Sequence, residues 1–360
     1  MIKIEIHPEA VERVKKYQIQ DTNLGFGKYV SPIMIRIDYK NGAWGKAELV
    51  PYGPLPLDPC AKVLHYAQEI FEGMKAYRTP EDEVQLFRPE LNAKRFNFSA
   101  RRMAMPEIPE EVFIDSCKAI TAYSRHLVPK RLGESLYLRP FMIASEAGLG
   151  IKPANEFIFC IVASPSGNYF SSSAVKVYVE RDEIRAASGG IGAAKTGGNY
   201  AASLQAYART LAMGCDQTMW LDAHDHTSIQ EMSGMNFFAV INGRLVTPPL
   251  SHSILDGITR RSIIELARFR KLNVSEERIL IDDLFAKIKT GECSECFVCG
   301  TAAVLVPIAS FHLKDGTTHH LKEGTGNISL QLREELINIQ AGRSESTPEG
   351  WTVPVETIDF

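Results

Sequence analysis

The chain has 360 residues, which is enough for two domains with a large apolar core. Hydrophobic residues make up 45% of the sequence and charged residues 23%, as in ordinary globular proteins, and the formal net charge is −3. This balance, without a basic run, does not indicate a nucleic-acid or anionic-membrane partner. Because the first residues and all later segments lack an apolar run of membrane-spanning length, we expect a cytoplasmic protein.

The first part of the chain is predicted to mix short strands and helices. In chain order, the patterns predict a helix over 7–18, strands over 31–39 and up to residue 50, a helix over 61–68, strands over 71–77 and 84–88, helices over 89–103 and 109–127, and strands over 135–145 and 157–163. Turn-forming residues are concentrated in 166–174, which predicts a linker between a domain of residues 1–165 and a second domain of residues 175–360.

The second part mixes the same kinds of elements. The patterns predict a strand over 175–179, a helix over 199–213, a strand over 218–221, a hairpin of 237–241 and 244–247, a helix over 257–269, a polar connection at 275–278, a helix over 282–289, a hairpin turning at 315–316, and a helix over 327–340. Strands and helices mixed in both parts, with several hairpins, predict two mixed α/β or α+β domains.

Seven cysteines in a chain without a secretion signal do not indicate a disulfide framework. Three of them are spaced as Cys293-x-x-Cys296-x-x-Cys299, which superficially resembles a metal-binding run. The surrounding sequence predicts strand, turn and strand, and a straight strand would point Cys296 and Cys299 to opposite faces. We therefore predict no metal site.

Lys195 lies among small residues, with Ser188–Ala194 before it and two glycines soon after it. Such a stretch indicates that a second backbone or a ligand comes close. The lysine fits a phosphate-binding loop, or an amine that forms an imine with a carbonyl cofactor. A solvated loop lysine is the third interpretation.

The phosphate-loop interpretation fails by one residue. Ala194 stands where the motif G-x-x-x-x-G-K-[ST] needs its second glycine, whose backbone would cradle the phosphates. A dinucleotide-binding fingerprint also fails, because Gly190-Ile191-Gly192 lacks the third glycine.

The imine interpretation gains support later in the chain. Glu231 is an isolated carboxylate just before a predicted strand, and Gly257-Ile258-Thr259 begins a predicted helix whose N-terminus suits a phosphate. Pyridoxal phosphate needs an amine for the imine, a partner for its ring nitrogen and an anchor for its phosphate. Lys195, Glu231 and the start of this helix supply all three.

The spacing from Glu231 through Asn236, Thr247 and Gly257 to Arg260 resembles the signature of class IV (fold type IV) pyridoxal-phosphate aminotransferases. Further blocks narrow the resemblance to branched-chain amino-acid aminotransferases over roughly residues 22–343; they are 71–76, 86–89, 135–140, 197–200 and 300–302. The resemblance implies a small N-terminal α/β domain, a larger C-terminal domain with a barrel-like mixed sheet, and pyridoxal 5'-phosphate as cofactor.

The resemblance also implies roles for individual residues. Lys195 is similar to the Schiff-base lysine that moves the proton, Glu231 to the partner of the ring nitrogen, and Tyr200 to the phenol that binds the ring hydroxyl. The residues that resemble the phosphate contacts are Arg95, Ile258, Thr259 and Thr301.

For the substrate, the resemblance implies an apolar pocket formed by Phe26, Tyr66, Phe71, Tyr137 and Tyr200. Arg139 with Tyr137 resembles the reader of the glutamate γ-carboxylate, and the N–H groups of Thr301 and Ala302 those that bind the α-carboxylate. Leu149 and Ile151 match a loop, residues 146–151, that reaches the partner subunit's site, which implies a homodimer.

The implied reaction is transamination between leucine, isoleucine or valine and 2-oxoglutarate, by a ping-pong mechanism. Three alternatives stay open on sequence alone. They are a D-amino-acid or amine transaminase of the same fold, a nucleotide-binding protein that uses residues 189–196, and a non-enzymatic relative.

Overall fold

The computed structural model describes residues 2–19, 23–167, 169, 173–322 and 326–358. These residues form two compact units. Unit 1 contains Met1–Tyr169, Ala194–Gly197 and Ile337–Phe360, and unit 2 contains Phe170–Ala193 and Gly198–Leu336. Of the predicted linker 166–174, residues 168 and 170–172 lie outside the described residues.

Helices of the described chain largely follow the predicted apolar periodicity. They are α1 (Pro8–Lys16), α2 (Lys62–Tyr66), α3 (Pro89–Arg102), α4 (Glu110–Tyr123), α5 (Gly197–Ala201), α6 (Leu204–Ala212), α7 (Ile258–Phe269), α8 (Ile281–Thr290) and α9 (Asn327–Gln340). The single helix predicted over 199–213 is wrong, because it breaks between α5 and α6. At this break Ser203 Oγ donates to the Tyr200 carbonyl at 2.7 Å, and a serine that bonds its own backbone in this way competes with a continuous helix.

The strands of unit 1 form one sheet. They are β1 (Ile4–Ile6), β2 (Ile33–Lys40), β3 (Ala43–Trp44), β4 (Ala47–Pro51), β5 (Glu69–Phe71), β6 (Met74–Arg78), β7 (Val84–Phe87), β8 (Ser135–Ala144), β9 (Phe157–Ser166) and β19 (Thr352–Val355). Among the described residues the order is β1-β4-β2-β9-β8-β6-β7-β19, with β3 on β2 and β5 on β8. One apolar cluster packs on this sheet, and it includes Phe96, Phe113 and Phe159 as fully buried rings.

The prediction placed residues 337–360 in the C-terminal domain, whereas the described residues among them, 337–358, belong to unit 1. The reason is a long-range strand pair that local sequence patterns do not reveal. β19 pairs antiparallel with β7, and the Arg88 guanidinium lies 4.5 Å from the Trp351 ring centroid.

The strands of unit 2 form the second sheet. They are β10 (Val175–Glu180), β11 (Gln217–Leu221), β12 (Ile229–Met232), β13 (Asn236–Ile241), β14 (Arg244–Thr247), β15 (Val274–Glu276), β16 (Cys293–Gly300), β17 (Val304–His312) and β18 (Thr318–His320). In the part described, their order is β12-β11-β10-β17-β16-β13-β14-β15, with β18 on β17. The prediction of a polar connection at 275–278 is wrong in part, because β15 pairs parallel with β14.

A bulge changes the pattern of thiols on β16. Val240 pairs with Glu295 but Ile241 pairs with Cys293, so Ser294 is an extra residue in the ladder. The Sγ atoms of Cys293 and Cys296 consequently lie 3.7 Å apart, a proximity that a straight strand does not give. Over the described ranges, no group of three or more His, Cys, Asp or Glu residues is arranged to hold a metal ion.

Candidate active site

Lys195 lies in irregular backbone just before α5 and is fixed by bonds within unit 1. Its N–H donates to Ser99 Oγ at 2.9 Å, and its carbonyl accepts from the Phe71 N–H at 3.0 Å. The Nζ atom lies 4.7 Å from the centroid of the Phe71 ring. The end of β5 and one side of α3 thus determine where this amine stands.

Arg95 is held in α3 by a buried ion pair with Glu72. Its Nε and Nη2 atoms donate to the two carboxylate oxygens of Glu72 at 2.7 Å each, and Asn92 donates to the same carboxylate at 2.7 Å. The side chains of Arg95 and Glu72 are 9% and 0% exposed. A guanidinium carries five N–H groups, and this ion pair uses two of them.

Tyr137 and Arg139 lie on β8, and Phe71, the last residue of β5, lies beside them. Arg139 Nη2 donates to the Tyr137 hydroxyl at 3.1 Å, and the guanidinium carbon lies 4.8 Å from the Phe71 ring centroid. The Phe26 ring meets Tyr137 edge-on at 4.9 Å. Among the described residues, the buried Nε of Arg139 has no hydrogen-bond partner. A buried cationic donor of this kind favours the binding of an anion.

Gly73 is the residue that lets Tyr137 occupy its position. A Cβ atom at Gly73 would lie 2.1 Å from the Tyr137 hydroxyl oxygen, which no side chain allows. Lys75, two residues further along β6, pairs with Tyr137 across the strands and is 3% exposed. Burial lowers the pKa of Lys75 to about 8. The sequence analysis did not select Lys75, although its apolar neighbours on β6 indicated that this lysine is buried.

In unit 2, Glu231 is a buried carboxylate on β12 that is paired with Arg185. The two side chains are each 5% exposed and form a short ion pair. Asn236 Nδ2 donates to Glu231 Oε2 at 3.0 Å, and the Leu255 N–H lies 3.3 Å from both carboxylate oxygens. The arginine favours the ionised carboxylate, which is the form that can accept a bond from a protonated ring nitrogen.

The chain that follows Leu255 leads directly into α7. Ile258 and Thr259 are buried in its first turn, and the N-cap Gly257 provides no side-chain cap. The first N–H groups of a helix lack partners within the helix, so this end can bind a phosphate.

Tyr200, Thr301 and Ala302 are half-buried, the first in α5 and the other two in the turn between β16 and β17. That turn ends at Val304, whose φ of 62° is unusual for a β-branched residue. Backbone strain of this kind is concentrated at functional sites.

The loop 146–151 presents apolar side chains on the surface of unit 1. Leu149 is 63% and Ile151 90% exposed. The Tyr66 hydroxyl makes a short bond to the Leu149 carbonyl, so Tyr66 belongs with this loop. Lys62, which is 1% exposed, donates to Glu146 at 2.9 Å and fixes the start of the loop.

Of the predicted residues, unit 1 brings Lys195, Phe71, Tyr137, Arg139 and Phe26 into one connected group. Unit 2 places Glu231 beside the segment that enters α7 with Ile258 and Thr259. The sequence analysis missed three charged residues that contact the predicted site residues or their neighbours. They are Glu69, which bonds to Gly197, Glu72, which pairs with Arg95, and Arg185, which pairs with Glu231. Glu72 had a visible signal, since it is a lone acid within an apolar strand pattern; Arg185 had none.

Comparisons with known proteins show the family to which the chain belongs. The sequence profile of the family described as amino-transferase class IV matches residues 69–311. The chain is 48% identical over 337 residues to the branched-chain-amino-acid aminotransferase of Mycolicibacterium smegmatis, covering 91% of each protein. No helix in the described residues is long and apolar enough to cross a membrane.

Solved structures with the same fold carry the same family name. The branched-chain aminotransferase of Thermoproteus uzoniensis, crystallised with norvaline, has a TM-score of 0.75 at 27% identity, covering 90% of this chain and 100% of that one. The branched-chain amino acid aminotransferase of T.th., complexed with N-(5'-phosphopyridoxyl)-L-glutamate, has a TM-score of 0.73 at 28% identity, with coverage of 89% and 98%.

These likenesses confirm the mixed α/β, fold type IV architecture and the cofactor, because class IV aminotransferases use pyridoxal 5'-phosphate. Each unit contains side chains or backbone of a chemical type that suits this cofactor: unit 1 has the Lys195 amine, and unit 2 has the buried Glu231 carboxylate and the N-terminus of α7. The chain belongs to the class IV aminotransferases and, within them, to the branched-chain-amino-acid aminotransferases.

Proposed function

We propose that the protein transfers amino groups between L-leucine, L-isoleucine or L-valine and 2-oxoglutarate by a ping-pong mechanism. The observation that carries this proposal is the group formed by Arg139, Phe71 and Tyr137. Its aromatic rings suit an apolar side chain, and each buried methylene contributes about 0.8 kcal/mol. The buried Nε of Arg139, without a partner among the described residues, suits the second carboxylate of glutamate or 2-oxoglutarate.

The proposed roles of the cofactor residues follow from their chemistry. When bound, pyridoxal 5'-phosphate withdraws electrons from the substrate α-carbon and so acidifies the α-hydrogen. Lys195 Nζ would accept that proton from the donor amino acid and, in the second half of the reaction, would donate a proton to the α-carbon of the 2-oxo acid that becomes the new amino acid. Glu231 stabilises a protonated ring nitrogen, and Tyr200 bonds to the ring hydroxyl. The phosphate is bound by Arg95, Ile258, Thr259 and Thr301.

The substrate is held at both ends. The N–H groups of Thr301 and Ala302 bind the α-carboxylate, and the rings of Phe26, Tyr66, Phe71, Tyr137 and Tyr200 surround the side chain. We further propose a homodimer in which Leu149 and Ile151 of one subunit reach the site of the other. Their exposure of 63% and 90%, on a loop fixed by the partly buried Lys62–Glu146 ion pair, supports this arrangement. A cytoplasmic location stays a prediction.

The first test removes the reactive amine. Lys195→Ala should abolish transamination of L-leucine and the borohydride-reducible bond between protein and cofactor, because no other amine replaces Nζ at that position. Lys130→Ala, whose side chain is 81% exposed, is the matched control and should leave both unchanged. Retention of either property by Lys195→Ala would overturn the assignment of this lysine. If the wild-type protein prefers D-alanine to L-leucine as a substrate, the result would favour a D-amino-acid transaminase.

The second test separates the two substrate classes. Arg139→Met should raise the KM for 2-oxoglutarate at least about tenfold, since a charged hydrogen bond contributes about 1.5–3 kcal/mol. The KM for L-leucine should change little, because its side chain carries no charge. Equal increases in both KM values would contradict the role of Arg139.

A further inference from the structure

Glu69 has no assigned role, yet it contacts the segment that carries Lys195. Its carboxylate Oε1 accepts a short bond from the Gly197 N–H, and its backbone carbonyl accepts from Thr196 Oγ1 at 2.7 Å. Two residues along β5, the Phe71 N–H donates to the Lys195 carbonyl at 3.0 Å. β5 therefore holds residues 195–197 by three bonds.

These bonds carry particular weight because Lys195 and Thr196 lie in neither a helix nor a strand. Irregular backbone has no ladder of its own, so tertiary hydrogen bonds determine its position. The Glu69 contact is the only one of the three that uses a side-chain carboxylate, and charged acceptors form stronger bonds than neutral ones.

Gly197 and Glu69 fit each other closely. A Cβ atom at Gly197 would lie 2.3 Å from Glu69 Oε1, so a side chain there would displace the carboxylate. Burial raises the pKa of the Glu69 carboxyl, while the Gly197 N–H and Arg139 lower it in part. Burial of the Glu69 carboxylate therefore has a desolvation cost, which the bond from the Gly197 N–H and the positive charge of Arg139 offset in part.

We propose that Glu69 is a positioning residue for Lys195: by holding Gly197 and Thr196, it fixes the direction from which the amine meets its carbonyl partner and the substrate α-hydrogen. This inference rests on the proposed role of Lys195. It assigns no contact with substrate or cofactor to Glu69 itself.

The experiment uses the holoenzyme and four variants: Glu69→Ala, Glu69→Gln, Gly197→Ala and the double variant Glu69→Ala/Gly197→Ala. A misplacement of about 1 Å at a reacting group reduces rates by roughly 100-fold, so Glu69→Ala and Gly197→Ala should each lower kcat for L-leucine by about 10- to 100-fold. KM should change less than kcat. Glu69→Gln keeps an oxygen acceptor for the Gly197 N–H and should recover most of the rate.

The double variant gives the most informative comparison. Because Glu69→Ala and Gly197→Ala disrupt the same bond, the loss of rate in the double variant should be no larger than in the slower of the two single variants. The pH titration of the cofactor absorbance should shift in Glu69→Ala and Gly197→Ala, a change that a purely structural defect would not produce. Gly53→Ala, where a Cβ meets nothing within 4 Å, is the control for adding a methyl group.

Unchanged kcat and unchanged absorbance titration in Glu69→Ala would overturn the proposal, as would a double variant whose loss of rate equals the product of the two single losses. Failure of the proposed function looks different. In that case the wild-type protein itself would lack L-leucine transamination or the reducible bond at Lys195, and both proposals would fall.

Discussion

The fit between Gly73 and Tyr137 gives a direct test of the proposed substrate site. A Cβ atom at Gly73 would lie 2.1 Å from the Tyr137 hydroxyl oxygen and 2.9 Å from its ring carbon Cζ, whereas ordinary contacts begin at 3.4 Å. Gly73→Ala therefore requires the hydroxyl to move by more than an ångström. The ring must rotate, because Tyr137 is anchored in β8 between β6 and β9.

The magnitude follows from the bond that the rotation breaks. Arg139 Nη2 donates to the Tyr137 hydroxyl at 3.1 Å, and a hydrogen bond with a charged donor contributes about 1.5–3 kcal/mol. Loss of this bond releases Arg139, so binding of 2-oxoglutarate should weaken by roughly 10- to 150-fold. The fold should lose only about 1–3 kcal/mol, as for other overpacked sites.

The assay is steady-state kinetics with L-leucine and 2-oxoglutarate varied in turn, together with urea unfolding. Gly53→Ala is the matched control, since its added methyl group meets open space. An unchanged KM for 2-oxoglutarate in Gly73→Ala would refute the reasoning. A variant that is destabilised by much more than about 3 kcal/mol would show that the backbone, and not the ring, has moved.

Two further predictions concern stability. The pKa of Lys75 is lowered by burial to about 8 from 10.5, so the unfolded chain binds the proton more tightly and the free energy of unfolding falls as pH drops from 10.5 to 8. This fall amounts to up to about 3 kcal/mol, and urea titrations should show that it is absent in Lys75→Met. An equal pH dependence in both proteins would contradict the prediction. Gly192→Ala would place a Cβ 2.7 Å from the Ser253 Cα, so thermal unfolding should show a loss of about 1–3 kcal/mol or more, while Gly234→Ala, with open space around it, should show little change.

Local patterns were sufficient for most elements of this protein. Apolar periodicity located α3, α7 and α9, and Asn242-Gly243 located the hairpin of β13 and β14, because these signals depend on residues close in sequence. The patterns missed β15 and β19, which are short strands that exist only because distant partners, β14 and β7, pair with them. They also missed the break after α5, where a serine side chain competes for a backbone carbonyl.

The candidate site divides in the same way. The sequence by itself selected Lys195, Glu231 and the start of α7 as candidates, because an amine, a lone acid and a helix N-terminus are recognisable chemical types in a family order. It explained the small residues beside Lys195 by the approach of a second backbone or a ligand. At Gly197, however, the structure shows the Glu69 carboxylate where a side chain would stand.

Only the tertiary structure decided how each reactive group is held. Glu72 lies 23 positions from Arg95 in the sequence, yet the two form a buried ion pair. Arg185 and Glu231 are also far apart in the sequence and form a second buried ion pair. Glu69 bonds to Gly197 across 128 positions. The order of residues along a chain records which groups are available, whereas packing in three dimensions determines which partner fixes the charge and direction of each one.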